Sequence, residues 1–243
     1  MNDRFSPLLV GLVSLALGLV AGAALLGNAV GRIRQGADQL EVTGSARRPI
    51  RSDFVVWRVR VGAQEAALPA AYQRLKAQSD RLRTYLRGRG IADSALTVQP
   101  VNVMPMPELY DGRETGRTLG YRLAQTFEIR SADVDGVTRL SQEVTELINQ
   151  GLELTPEQPE YLFTGLPRLR VEMLAEATAD AKLRAAAIAA GVGGRLGGVR
   201  SVRVGVFQIT PRFSTEVSDY GVNDTSSLEK DVTAVVRVTF SIR

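Results

Sequence analysis

A run of twenty-three residues from Leu8 to Val30, LLVGLVSLALGLVAGAALLGNAV, contains no charged side chain. At a rise of about 1.5 Å per residue a helix of this length spans roughly 35 Å. A hydrocarbon core of about 30 Å needs only about 20 such residues. The run therefore predicts a membrane-spanning helix, with residues 1–35 as anchor and short linker and residues 39–243 as the domain it carries. A cleaved signal peptide competes with this reading, because Ala21-Gly22-Ala23 has the small-x-small form of a cleavage site. Signal peptides carry apolar regions of about 7–15 residues. Here the run continues through Leu25 and Leu26, which favours an uncleaved anchor.

Charge leaves the orientation open. Arg4 precedes the span, whereas Arg32, Arg34, Arg47 and Arg48 follow it. Counted naively, that balance puts the following domain in the cytoplasm, but long domains translocate largely regardless of flanking charge. Inside the span Ser14, Gly18 and Gly22 recur every fourth residue. Small residues at this spacing stack on one helix face and let two backbones approach, which makes them a candidate helix–helix face. The plainer alternative is that Gly and Ala are simply frequent in membrane helices.

The chain has no cysteine and no histidine. That excludes a disulfide framework, a thiol nucleophile and a Cys/His zinc site. It also removes the usual general base near neutral pH, so catalysis would have to rest on carboxylates, Lys, Tyr, Ser or Arg. Net charge is +4, divided as +2 over residues 1–34, +5 over 35–130 and −3 over 131–243. So mild an asymmetry, with sparse aromatics, argues against nucleic acid as a partner.

No phosphate-loop, nucleophile-elbow or zinc-helix motif occurs. Gly191, Gly193, Gly194, Gly197 and Gly198 form a Gly-rich stretch. Phosphate loops follow a strand and open a helix, whereas this stretch follows a helical pattern and reads as a helix stop. The pairs Asp133/Asp135 and Glu143/Glu146 could in principle share a proton or a cation. Their positions fit a helix N-terminus and an exposed flank better. No cofactor and no metal is expected.

Periodicity supplies the elements. Leu40–Gly44 reads as a brief strand ended by Arg47-Arg48-Pro49. Residues 53–62 alternate, with Val55, Trp57, Val59 and Val61 inward. Ala66–Arg87 predicts an amphipathic helix with Leu68, Tyr72, Leu75, Leu82 and Leu86 as its stripe. Leu96–Val103 is a strand interrupted by Pro100, and Met104-Pro105-Met106-Pro107 leads through Asp111-Gly112 to a returning strand over Tyr121–Ile129. Asp133–Asn149 and Pro167–Ala190 predict two further helices, the last Ala-rich on all sides. Glu160–Gly165, Val199–Ile209 and Asp231–Ile242 complete the strands, with a polar loop over Pro211–Glu229. The order ββαββαβαββ predicts an α+β fold of mainly antiparallel sheet with three helices.

Several of these pieces together resemble the SIMPL-domain family of bacterial envelope proteins. They are Val42-Thr43-Gly44, Gly90-Ile91, Gly120-Tyr121-Arg122, the segment from Asp180-Ala181-Lys182 to Ala189-Ala190-Gly191-Val192, then Leu196-Gly197 and the closing Val-rich strand. One departure is Arg51-Ser52-Asp53, where a Pro-Asp pair would be expected before the second strand. The resemblance implies a domain outside the cytoplasm, loosely linked to envelope or oxidative stress, and self-assembly into a homo-oligomer. It implies no catalytic residue.

The functional expectation is a non-enzymatic, single-pass inner-membrane protein whose C-terminal domain lies in the periplasm. It would act by self-assembly or by binding another envelope protein. Loops on a rigid scaffold usually carry binding, so Met104, Met106 and Tyr110 in the hairpin tip over Met104–Gly116 and Phe213 and Tyr220 on the long loop are the candidate contact residues. Met104 and Met106 could equally fold back as core. The alternative function is a binding module for a small ligand, a lipid or a cell-wall fragment, held between sheet and helices.

Overall fold

The computed structural model describes residue 11, residues 13–23 and residues 39–243. Residues 13–23 are helical. The rest of the Leu8–Val30 run, and the linker up to residue 38, lie outside the described residues. Among those described, no helix is long and apolar enough to cross a membrane.

From residue 39 the elements are β1 (Gln39–Arg51), β2 (Phe54–Glu65), α1 (Leu68–Gly88), a single 3-10 turn (Asp93–Ala95), β3 (Leu96–Val98), β4 (Asn102–Tyr110) and β5 (Arg113–Ser131). Then come α2 (Val134–Glu143), α3 (Glu146–Asn149), β6 (Leu154–Pro156), β7 (Glu160–Leu162), α4 (Leu166–Gly191), β8 (Leu196–Val204), β9 (Gln208–Pro211) and β10 (Glu229–Ile242). Among the described residues the ladders β10–β8, β10–β9, β2–β5, β2–β6, β2–β7, β3–β5 and β4–β5 are antiparallel. The fold is α+β.

The chain divides into two units. The larger comprises Arg47–Met173 and Val206–Ala234. Its sheet has the order β3-β5-β2-β6, with β4 added to β5 and β7 to β2. The alternation in β2 works as the sequence predicts: Val55, Trp57, Val59 and Val61 are fully buried, facing Leu123, Phe127 and Ile129 of β5 in the core. Helix α1 packs on β2 and β5, and α2 packs on β2. Trp57 satisfies its indole N–H on the Glu157 carbonyl at 2.9 Å.

The stripe of α1 is Ala71, Leu75, Gln78, Ser79, Leu82 and Leu86, so Leu68 and Tyr72 are exposed instead of buried. Two polar residues enter the stripe because each has a partner. Gln78 accepts from the Glu153 amide at 2.8 Å, and Ser79 donates to Gln125 at 3.0 Å. A second correction concerns the predicted helix over Asp133–Asn149, which breaks into α2 and α3, giving four helices from residue 39 onward instead of three. Hydroxyls of Thr138, Ser141 and Thr145 bond back to carbonyls three or four residues earlier. Such bonds compete with the helix ladder, and the chain goes on with three-residue bonds from Leu147 to Val144 and from Ile148 to Thr145.

The other unit comprises the described residues up to Ala46, with Leu174–Gly205 and Val235–Arg243. Here β8 pairs with β10 from Val204↔Val236 to Leu196↔Ile242. Val236, Val238 and Phe240 of β10 are buried, as are Ala177, Ala181, Ala185 and Ala189 of α4. The Ala-rich helix therefore buries one line at four-residue spacing and is not uniformly packed. Gly194 donates to the Ala189 carbonyl at 2.9 Å and Gly193 has φ +75, the left-handed stop expected of this stretch.

Strand β1 runs unbroken through Pro49, against the expectation of a break. It stands at the end of the order β1-β10-β8, and an edge strand tolerates a missing N–H. Conversely, the strand expected over Val199–Ile209 is two, β8 and β9.

Candidate functional site

The strongest departure from a closed α+β layer is a hairpin arm. Strand β2 stops pairing with β5 at Glu65↔Tyr121, whereas β4 and β5 continue together to Tyr110↔Arg113. Residues 107–119 thus form a two-stranded ribbon past the end of β2. Asp111 and Gly112 close it with φ of +49 and +74, the type I′ geometry that matches strand twist. Met104 and Met106 are strand residues, not the tip as expected.

Tyr110 is 78% exposed, and Leu109, Met104 and Leu119 are exposed with it. Met106 is half-buried, and a Cβ built on Gly120 would lie 3.1 Å from its Cε, which places it over that glycine. Met104 lines an open groove with Arg60, Gln99, Arg122 and Thr126 on the polar side of the sheet. Of the two methionines, one covers backbone and one faces solvent.

The second surface is the loop between β9 and β10. Phe213 is 80% exposed and Tyr220 96% exposed. Phe213 holds φ at +64, a left-handed conformation uncommon for an aromatic residue. The buried Asp231 fixes it there, accepting from the Phe213 amide at 3.1 Å and from Arg47 at 2.6 Å. Burial tends to raise the Asp231 carboxyl, and those two donors outweigh it and hold the group below the usual carboxylate range. The cost of that conformation is thus carried at an exposed aromatic position.

These two surfaces are not brought together. The arm leaves beyond Glu65, at one end of β2. The loop is tied to the other end, where Ser52 donates to the Leu228 carbonyl and Tyr161, which pairs with Val55, donates to that of Thr225. At about 3.3 Å per residue the length of β2 separates them by roughly 35 Å.

Below the loop lies a cleft of about 330 Å³ lined by Phe54, Tyr161, Leu162, Leu166, Asp224 and Lys230, among others. Lys230 is 3% exposed, and its Nζ donates to the carbonyls of Tyr161 at 2.6 Å and Asp224 at 2.5 Å. Burial pushes this amine below the usual lysine range, with Asp224 acting against it. Sequence reasoning missed the site. The available signal was Lys230 itself, one of only three lysines and placed at the head of the most apolar strand.

The remaining candidates resolve simply. Ser14, Gly18 and Gly22 line one shallow groove on the N-terminal helical residues, with Leu15 and Leu19 beside them. Asp133 caps α2, accepting from the Gly136 amide at 2.9 Å. Glu143 pairs with Arg89, and Asp135 with Arg51 at 2.7 Å. Among the described residues no group of three or more Asp or Glu could hold a metal ion.

The structure thus combines antiparallel α+β architecture with an extended β4–β5 arm and with exposed aromatics on the β9–β10 loop. The family model described as SIMPL, protein of unknown function (DUF541), matches residues 40–240, and the chain belongs to that family. A comparison with curated proteins finds no match.

Proposed function

We propose that the chain is a non-enzymatic, membrane-anchored envelope protein that acts by self-assembly or by binding another envelope protein through its arm and its β9–β10 loop. The arm is the observation that carries this reading. A two-stranded ribbon has little independent stability in water, and exposing Leu109, Tyr110 and Leu119 on it adds apolar surface without cover. Both costs fall when a partner packs against it. The uncharged Leu8–Val30 run would anchor the chain in the inner membrane with the domain in the periplasm. Its Ser14-Gly18-Gly22 face would bring neighbouring anchors together in a homo-oligomer.

The test places photo-crosslinking residues at Tyr110 and Tyr220 in the full-length chain in its native membranes. Adducts at defined masses, lost when residues 107–119 are replaced by a short turn, support the proposal. A chain that is monomeric by light scattering in mild detergent and yields no adduct at either position overturns it.

A further inference from the structure

Strand β8 stands at the open end of the order β1-β10-β8, and among the described residues it pairs with β10 alone. Its register with β10 is regular from Ser201 to Val204, so Val202 and Val204 share a face with Val238 and Val236. Val199, opposite Phe240, joins them. The β10 side chains on that face are buried, yet Val199, Val202 and Val204 are 50–57% exposed. Helix α4 accounts for the difference. It packs close on β1, through Gly44 and the Ser45–Asp180 hydrogen bond, and leaves the β8 valines bare. Native edge strands are commonly blunted by Lys, Pro or bulges. Register shifts blunt β8 only before Ser201, and the strand has no Lys and no Pro.

The other face of the strand carries a charge signal. Arg203 stands directly across from Arg237, and like charges so placed repel. Glu41 of β1 answers Arg237 at 3.5 Å. Among the described residues Arg203 has no ion-pair partner. The row Glu41, Arg237, Arg203 thus ends on an unmatched cation at the open edge.

We propose that β8 is a docking edge for an extended segment of a partner protein in which β-branched apolar residues alternate with acidic ones. The segment adds a strand beside β8. Its apolar side chains cover Val202 and Val204, and its acidic ones meet Arg203. A second copy of β8 fits worse. Antiparallel self-pairing centred on Val202, Arg203 or Val204 sets the two Arg203 side chains diagonal or opposite to each other, within reach of repulsion. A basic segment has the same fault. The site stands independently of whether the arm associates.

The experiment uses the full-length chain in detergent micelles, with labelled valine methyls and amide hydrogen exchange read over Ser201–Val204. The probe is an acetylated, amidated Thr-Val-Glu-Val-Glu-Val-Thr peptide, and its control has Lys in place of Glu. The acidic peptide is expected to shift the Val202 and Val204 methyls saturably and to slow amide exchange in β8. The Lys peptide is expected to bind at least about fivefold more weakly. Arg203→Glu changes an exposed side chain and removes the like-charge pair with Arg237, so the fold is kept while the preference between the two peptides reverses. Absence of saturable shifts, equal binding of the two peptides, or an unchanged preference in Arg203→Glu overturns the proposal. So does full protection of the β8 amides before peptide is added, which would show that a second copy or another part of this chain already occupies the edge.

Discussion

Gly44 of β1 rests directly on the backbone of α4 at Ala181. A Cβ added to Gly44 would stand 2.7 Å from the Ala181 Cβ and would collide with the Ala177 carbonyl and the Ala181 amide. One residue on, Ser45 donates its amide to Asp180 Oδ2 at 2.8 Å. The opposing atoms are mostly backbone, so a methyl group cannot be accommodated by a rotamer change. Gly44→Ala should destabilise the chain by about 1–3 kcal/mol through overpacking. A lower urea midpoint at unchanged slope is the expected reading, and an unaltered midpoint would show that the strand can shift away.

Acid sensitivity should be traceable to Glu128. Its buried carboxylate accepts from Arg58 Nε and Arg130 Nε, each at 2.7 Å. The Arg58 hydrogen bond is the main cause of its lowered pKa, acting against burial and reinforced by Arg130. A depressed folded-state pKa contributes stability that is present above the unfolded value of about 4.3 and lost as pH falls through the folded value. Glu128→Gln should therefore cost about 1–3 kcal/mol at neutral pH. The difference from the parent should shrink progressively below about pH 4. Urea midpoints across that range check it, and a pH-independent difference would count against the linkage.

At Phe213 stability and contact should separate. A left-handed conformation costs an ordinary residue about 1 kcal/mol or more and glycine almost nothing. Phe213→Gly should leave the melting temperature unchanged or raised, while lowering any cross-linking yield at Tyr220. Loss of both together would show that the ring, placed 5.2 Å from Arg212, is structural.

The arm should be separable from the core. Gly112→Val puts a β-branched residue at φ +74 in the closing turn, where such residues are strained. Amide protection over residues 103–119 is expected to fall. Protection in β2 at Val59 should stay, since its ladder partner Phe127 lies far from the turn. A chain that loses protection in β2 as well would have an arm integral to folding.

The sequence displays those parts of this protein that depend on periodicity. Val55, Trp57, Val59 and Val61, and Val232 through Phe240, alternate as strands must, and they are buried as read. The Gly44 and Asp180 positions in the family pattern turn out to be one joint, the glycine admitting the helix and the carboxylate tying it. Positions governed by a particular partner are opaque. Nothing local distinguishes Gln78 from a solvated glutamine, because its burial depends on an amide 75 residues away. The Lys230 cleft is hidden for the same reason: it is assembled from β7, the β1–β2 turn and a loop read only as polar. Thr138, Ser141 and Thr145 did carry the signal for a broken helix, in hydroxyls at the spacing that bonds backward.

Pro105 and Pro107 give β4 two alternate positions without an N–H. An edge strand accommodates proline where the missing donor points away from its ladder, and the ladder described for β4 is to β5 alone. Any strand arriving on the outer side would find gaps where sheet growth needs a continuous row of donors. The self-association proposed for this arm would therefore be confined to side-chain contacts of finite extent. Under that proposal, chains crowded side by side would recognise one another without seeding a fibre.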